Sequence, residues 1–294
     1  MTLSLVQAAK LSTDTLQRGV IETFARNSAV LELLPFMTIE GNSYLYNQED
    51  ALPSVEYREV NGAYTASTGT VTQKSEKLVM LGGDVDVDKF IVRTLGNVND
   101  QRAIQTNMKT KRLANQFTED FFKGDATGGK KFDGLVKRTA DNQTLEAGGL
   151  PLDLLKLREL LDMVDGGADV LFMSKAMQRE LLALAATGNH NYVYEGKDSF
   201  GRHIKMFGDV PIRTVDVLGF DEGAGTEGSI YAVKFGAQEA VSGLTNGGIM
   251  VDDLGEIDEK PAFRTRIEFY CGIADFHPKS AARMSGIIRA ADAV

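Results

Sequence analysis

The sequence predicts an α+β protein with long, projecting elements, and three observations predict it. Apolar residues recur at helical spacing over residues 100–123, apolar and polar residues alternate from Phe263 to Ile273, and residues 41–82 read as a hairpin with few large apolar side chains. The first pattern gives a helix of about 24 residues, ~36 Å long. The second gives a strand of about 11 residues, ~37 Å long, which is long for a strand. A helix and a strand of matching length can pack as one elongated spine. The third is marginal in water by itself, so it must lie on its own body or on a neighbouring chain.

Taken in order, residues 3–25 carry Leu3, Val6, Leu11, Leu16, Val20, Ile21 and Phe24 at roughly helical spacing. Ser12-Thr13-Asp14 and Gly19 interrupt it, which predicts one or two short helices. Pro35 ends any helix near Leu34. Tyr44-Leu45-Tyr46 starts a strand and residues 70–80 return it, with Pro53, Gly62 and Gly69 between. Residues 84–92 alternate and predict another strand. Asn99 can cap the long helix, in which Ile104, Met108, Leu113, Phe117 and Phe121 read as one apolar stripe, with Thr106, Lys109, Lys111, Arg112 and Asp120 on other faces. Gly124 stops it.

A second amphipathic helix spans 152–165 and ends at Gly166-Gly167. Residues 169–173 are a short apolar strand, and Ser174 caps a helix over 175–186. Residues 187–200 read as a polar loop, 202–207, 210–217 and 229–235 as strands, 219–228 as a glycine-rich loop, and 249–251 as a further short strand. On the long strand Phe263, Thr265, Ile267, Phe269, Cys271 and Ile273 share one face, and Arg264, Arg266, Glu268 and Tyr270 the other. No repeat of 20–50 residues is visible.

Composition bounds the function. The chain has 294 residues, 43% hydrophobic and 25% charged, with 32 Lys+Arg against 41 Asp+Glu for a net charge of −9. These are the fractions of a globular protein and allow a sizeable core in one or two domains. No apolar run reaches the ~18 residues of a membrane span, and Met1-Thr2-Leu3-Ser4-Leu5-Val6-Gln7 has neither the basic region nor the apolar core of a secretory signal. The acidic balance argues against a protein that grips duplex phosphate. A single cysteine, Cys271, excludes an internal disulfide and a Cys-rich metal site.

The chemical motifs do not hold. Residues 124–131 (Gly124-Asp125-Ala126-Thr127-Gly128-Gly129-Lys130-Lys131) nearly fit a P-loop, but Lys131 stands where the magnesium-binding hydroxyl belongs and the segment closes a helix. Gly223-Ala224-Gly225-Thr226-Glu227-Gly228 matches G-x-G-x-x-G but precedes a strand. Asp84, Asp86 and Asp88 imitate the start of an EF-hand, yet Lys89 and Leu95 occupy the positions that require Gly and Glu; a solvated strand face is the simpler reading. His190, His203 and His277 have no metal-ligand spacing. Cys271 reads as a small buried hydrophobe. Lys109, Lys111 and Arg112 read as a solvated helix face. No residue is expected to be catalytic, cofactor-binding or metal-ligating. The extended elements instead expose surface that only a neighbour can cover, which points to an obligate assembly.

The order of these elements resembles the major capsid proteins of tailed bacteriophages, with the Hong Kong 97 fold. An N-terminal arm (1–40) ends near Phe36, hairpin 41–82 resembles the extended loop, and helix 100–123 resembles the spine helix. Phe121-Phe122-Lys123-Gly124-Asp125 with Phe132-Asp133-Gly134-Leu135 resembles the passage from that helix into the axial domain. Val170-Leu171-Phe172-Met173-Ser174 is similar to an axial-domain strand and its helix. Gly201-Arg202, followed by Phe207-Gly208-Asp209-Val210-Pro211-Ile212, resembles the family's short run into a turn. Ile230-Tyr231-Ala232-Val233-Lys234-Phe235-Gly236 and residues 266–279, through Asp275-Phe276-His277-Pro278, resemble the return to the peripheral domain.

The resemblance implies a peripheral domain of 83–135 and 229–284 (spine helix plus long antiparallel strands) and an axial α/β domain of 136–228 and 285–294. It implies a non-enzymatic shell protein without cofactors. Hexamers and pentamers would build an icosahedral head around double-stranded DNA, with no sequence-specific DNA binding and no membrane. Partners would be a separate scaffolding protein, because arm-like sequence follows Met1 at once, a portal, and decoration proteins. The location would be the virion, after assembly in the host bacterial cytoplasm. Some relatives cross-link a loop lysine to a strand asparagine beside a buried glutamate. Glu268 falls near the glutamate's place, but Pro261 falls near the asparagine's, so no cross-link carries over and Glu268 reads as an ion-pair residue. Two alternatives stand beside this one. One is an encapsulin-type bacterial compartment shell, and the other an acidic α/β enzyme with residues 187–200 as a lid over an axial-domain pocket.

Overall fold

A computed structural model describes residues 20, 23–24, 28–90, 98–139, 141–187, 193–197, 203–222 and 225–292. Its elements in chain order are α1 (Ala29–Leu33), β1 (Phe36–Thr38), β2 (Ser43–Ala51), β3 (Thr70–Lys77), β4 (Val79–Asp88), α2 (Val98–Lys123), α3 (Leu135–Arg138), β5 (Thr144–Leu150), α4 (Leu154–Asp162), β6 (Val170–Met173), α5 (Lys175–Thr187), β7 (Val193–Lys197), β8 (His203–Phe207), β9 (Val210–Thr214), β10 (Gly228–Val233), β11 (Val241–Glu256), β12 (Ala262–Asp275) and β13 (Ala281–Ile287). The helices expected over 3–25 lie mostly outside the described residues; within that stretch Val20 and Phe24 are buried in the main core.

Three sheets organise the chain. A four-stranded sheet runs β1-β11-β12-β4, a seven-stranded sheet runs β5-β13-β10-β6-β9-β8-β7, and β2 and β3 form a separate hairpin. Helix α2 lies across the four-stranded sheet and buries Leu113, Phe117 and Phe121 together with Ile267, Phe269 and Cys271 of β12. Helices α4 and α5 bury Leu157, Leu160, Met177 and Leu181 against β6, β10 and β13. Ser174 caps α5 as expected, its hydroxyl accepting from the Met177 amide at 3.1 Å. Asp153 does the same for α4 from the Leu155 amide at 3.2 Å.

The long strand keeps its alternation: Thr265, Ile267, Phe269, Cys271 and Ile273 are buried, while Arg264, Arg266, Glu268 and Tyr270 are partly exposed. Its partner β11 has 16 residues, far more than the expected 249–251. Two bulges hide it from a period-2 reading, one between Thr245 and Ile249 and one between Asp253 and Gly255, with Gly247, Gly248 and Gly255 all at positive φ. The return strand expected over 70–80 is broken at Leu78: β3 pairs with β2, whereas β4 begins at Val79 and not at 84, ends at Asp88 and pairs with β12; residues 91 and 92 of the expected strand lie outside the described residues.

Helix α2 corrects the apolar stripe. Ile104 and Met108 are 51% and 60% exposed, and Thr106 and Thr110 are buried in their place. Met108 to Leu113 is five residues, about 140° around a helix, so the two cannot share a face. The Thr110 hydroxyl donates to the Thr106 carbonyl at 2.8 Å, which satisfies it inside the core. Asn99 lies inside the first turn, not ahead of it.

At the other end the chain returns against the helix terminus at Gly124 and Gly134. A Cβ on Gly124 would stand 2.4 Å from the carbonyl oxygens of Asp120 and Phe132, and one on Gly134 would stand 2.6 Å from the Gly124 nitrogen. Only a bare backbone fits this crossing.

The expected division of the chain cuts through the seven-stranded sheet. Strand β10, which lies in the segment 229–284 but for Gly228, and β13, which crosses that segment's end at residue 284, are hydrogen-bonded to each other, β10 also to β6 and β13 to β5, and neither to the four-stranded sheet. Strands β5 and β13 carry no strong strand pattern and were not expected.

Candidate assembly surface

The hairpin has a buried root and a bare tip. At the root, Tyr46 and Gln48 of β2 are buried. The Tyr46 hydroxyl donates to the Asp275 carbonyl at 2.9 Å, and the Gln48 amide reaches the same oxygen at 3.5 Å. Tyr46 stacks on Tyr44 and meets Phe276 at 4.7 Å between ring centroids. Burial, reinforced by the Glu76 carboxylate, pushes the Tyr46 phenol up to about 12, so it stays a donor.

Glu76 of β3 receives a bidentate pair from Arg138 of α3 at 2.6 and 2.8 Å. Burial works against the Arg138 charge, but Glu76 more than offsets it and raises the guanidinium above its ordinary value. Burial also raises the Asp275 carboxyl, which the Ser280 hydroxyl contacts.

Residues 52–69 project beyond the paired strands and are all exposed. Leu52, Val55, Tyr57, Val60 and Tyr64 are each at least 65% exposed. The tip is still ordered by its own bonds. Ser67 donates to the Ser54 carbonyl at 2.9 Å, Arg58 donates to the Gly62 carbonyl at 3.3 Å and covers the Tyr64 ring at 5.2 Å, and Asn61 turns the chain at φ 68°. A run of large apolar side chains on one projection marks an interaction surface rather than a soluble ending.

The open face of the four-stranded sheet carries charge. Arg266 stands opposite Asp84, and Arg264 opposite Asp86, across β12 and β4. Both pairs are bidentate, at 2.8 and 3.0 Å and at 2.7 and 2.9 Å. Lys260 adds a contact to Asp86 at 2.6 Å. The hydrogen bonds from Arg266 and Arg264 hold Asp84 and Asp86 respectively below the ordinary carboxylate range.

A depressed folded value means that this ladder contributes above the unfolded value of ~3.9 and is lost as pH falls through the folded one. Thermal melts are therefore expected to show no contribution of the ladder to pH dependence above about pH 5 and a decline below about pH 4. An Asp84→Asn/Asp86→Asn double variant should flatten that decline; an unchanged acid limb would remove the ladder from the account.

Other residues singled out in the sequence serve local structure. Lys131 pairs with the buried Asp120 at 2.7 Å, and Asp125 caps a 3-10 turn over Ala126–Gly128, so the P-loop-like segment is a helix-ending turn. Gly223 and Ala224 lie outside the described residues, as does His190. Asp88 accepts from the Phe90 amide at 2.7 Å. His203 lies 4.0 Å from Glu195 and His277 lies 3.7 Å from Asp165. Among the described residues no group of three His, Cys, Asp or Glu is placed to hold a metal. Arg112 contacts Gln116 at 3.1 Å along the exposed helix face. Glu268 accepts from the Tyr270 hydroxyl at 2.9 Å.

Residues 193–197 of the expected lid form β7, the end strand of the seven-stranded sheet. A cleft of about 300 Å³ between α1, α2 and the turn after β9, and one of about 360 Å³ at the hairpin root, are lined by other residues.

Cys271 is fully buried, and burial pushes its thiol up, far from the thiolate a nucleophile needs. Cys271→Ala is expected to cost about 1 kcal/mol in urea unfolding and to leave particle formation intact; loss of particles with unchanged stability would reopen a chemical role.

Residues 12–151 match the family model of the major capsid protein GP7. No curated protein matches the chain in sequence. In fold it is similar to the holo-SrpI encapsulin complex of Synechococcus elongatus PCC 7942, at 16% identity over 96% of this chain and 95% of that one, TM-score 0.69. It is also similar to the capsid of a native GTA particle, at 12% identity over 89% and 90%, TM-score 0.66. A structure from Microbacterium phage Oxtober96 aligns at 18% identity over 89% and 91%, TM-score 0.65.

Proposed function

We propose that this chain, which has the Hong Kong 97 capsid fold and matches the GP7 major capsid protein over residues 12–151, is the major capsid protein of a tailed bacteriophage head. The observation that carries this reading is that the GP7 match spans the hairpin and α2, the elements that project or expose apolar surface in the lone subunit. The role is structural. Copies assemble as hexamers and pentamers into an icosahedral shell, within which the four-stranded sheet and α2 form the peripheral domain. The seven-stranded sheet with α4 and α5, β10 and β13 included, forms the axial domain.

The shell encloses double-stranded DNA, and a scaffolding protein, a portal and decoration proteins join it in the host bacterial cytoplasm. The net charge of −9 suits a container: acidic groups on an inner wall repel phosphate and do not trap it.

Electron microscopy of the purified protein tests the reading. Closed icosahedral particles are expected; a folded protein that stays monomeric at high concentration, with or without a scaffold, would overturn it. An encapsulin-type compartment shell is the second reading, supported by the coverage of the SrpI encapsulin structure. Particles that copurify with an enzyme would favour it, and particles that copurify with DNA-packaging proteins favour the first.

A further inference from the structure

We propose that the Arg138–Glu76 pair, together with the Tyr46 hydroxyl on the Asp275 carbonyl, is a latch that sets the direction in which the hairpin projects. Arg138 and Glu76 are then positioning residues for shell closure. The proposal rests on the shell-forming function given above.

The hairpin shares no hydrogen-bond ladder with either larger sheet, so strand pairing does not orient it. It is tied to the body in three ways. The chain enters from β1 through Ile39, whose amide donates to the Thr245 carbonyl of β11 at 2.9 Å, and leaves through Leu78 into β4. Tyr44 and Tyr46 pack on Phe276. Polar contacts join Glu76 to Arg138, and Tyr46 and Gln48 to Asp275. A chain crossing acts as a hinge, and apolar contact has no direction. A planar bidentate pair does have one.

Arg138 is itself oriented, since its Nε donates to the Asp133 carbonyl at 2.6 Å. The pair is well shielded, at 11% and 18% side-chain exposure, but it borders the polar cleft of about 360 Å³ lined by Lys74, Asp133, Lys137 and Asp275. That space lets the root swing once the pair is gone.

Leverage makes the direction matter. From Tyr46 to the turn at Asn61 is up to roughly 50 Å of extended chain, so a swing of about 10° moves the tip by about 9 Å. Packed contacts lose their partners over a fraction of that distance.

The test uses full-length protein in a Cys271→Ala background, with nitroxide labels at A66C and K130C, two exposed positions. Pulsed electron paramagnetic resonance on unassembled subunits reads the tip-to-body distance. Glu76→Leu/Arg138→Met removes both charges without leaving one buried alone, and Glu76→Arg/Arg138→Glu exchanges them.

The apolar pair is expected to keep the circular dichroism and melting midpoint, to widen the distance distribution about twofold, and to lower the yield of closed shells by roughly tenfold, the change expected of a small loss repeated at each contact. The exchanged pair restores the bidentate charge pairing but loses the donor to the Asp133 carbonyl, so it is expected to narrow the distribution and recover shells in part; a distribution as broad as the apolar pair's, in a variant that keeps its melting midpoint, would count against the latch. An unchanged distribution in the apolar pair, with or without a stability loss, would overturn the latch. Failure of the unaltered protein to form any shell would sink the shell function alone, because the distance comparison still decides the latch.

Discussion

Replacing residues 52–69 with a two-residue Asn-Gly turn between Ala51 and Thr70 is expected to give a folded subunit that forms no closed shells. Ala51 and Thr70 are the last paired residues of the hairpin, and Asn-Gly is the turn that suits a two-residue connection. The cut leaves Tyr46, Gln48 and Glu76, and with them the root, in place. Residues 52–69 touch neither main core, so the melting midpoint should hold. What disappears is the burial of Leu52, Val55 and Val60 on another copy, each contributing about 1.5–3 kcal/mol if fully covered. Part of that gain is offset by the cost of association, but a closed shell repeats the contact at every subunit. Circular dichroism and sedimentation decide it: normal particles from the shortened chain would show that the tip is dispensable.

Phe269→Ala is expected to destabilise the subunit by about 3–5 kcal/mol, a large share of the roughly 5–15 kcal/mol of a typical folded domain. The Phe269 ring is fully buried at the centre of an aromatic cluster, with Phe24 at 5.1 Å, Phe36 at 5.7 Å and Phe117 at 5.8 Å. It therefore joins the N-terminal segment, β1, α2 and β12, and its loss opens a cavity that four elements share. Phe269→Leu should cost markedly less. Phe117→Ala combined with Phe269→Ala should cost less than the two separate losses added, because the rings share one cavity. Urea midpoints measure all of these, and a midpoint for Phe269→Ala within error of the parent would show that the cluster does not hold the spine together.

Legibility in the sequence followed the range of the interaction. Leu113, Phe117 and Phe121 were visible because they lie on one face of a single helix, and β12 because its side chains alternate without a bulge. Ile104 and Met108 misled because matching apolar spacing within each pair does not put them in phase with Leu113. Strands β5 and β13, with sequences Thr144-Leu145-Glu146-Ala147-Gly148-Gly149-Leu150 and Ala281-Ala282-Arg283-Met284-Ser285-Gly286-Ile287, carry small residues and glycines and become strands through their partners. Asp84 and Asp86 were legible as one strand face, but their arginines lie 182 and 178 residues away in the chain, respectively.

By itself the sequence determined the α+β class, the spine helix and strand, the projecting hairpin and the ordered set of elements that resembles a phage capsid subunit. These features rest on side-chain periodicity and on glycine and proline at turns, which act over a few residues. Only the tertiary structure decided which strands share a sheet, that β10 and β13 leave the spine for the second sheet, and that Glu76, Arg138, Tyr46 and Asp275 meet at the hairpin root. Those groups are separated by as much as 229 residues. Bringing them together is the work of packing and strand register, and no local propensity encodes either.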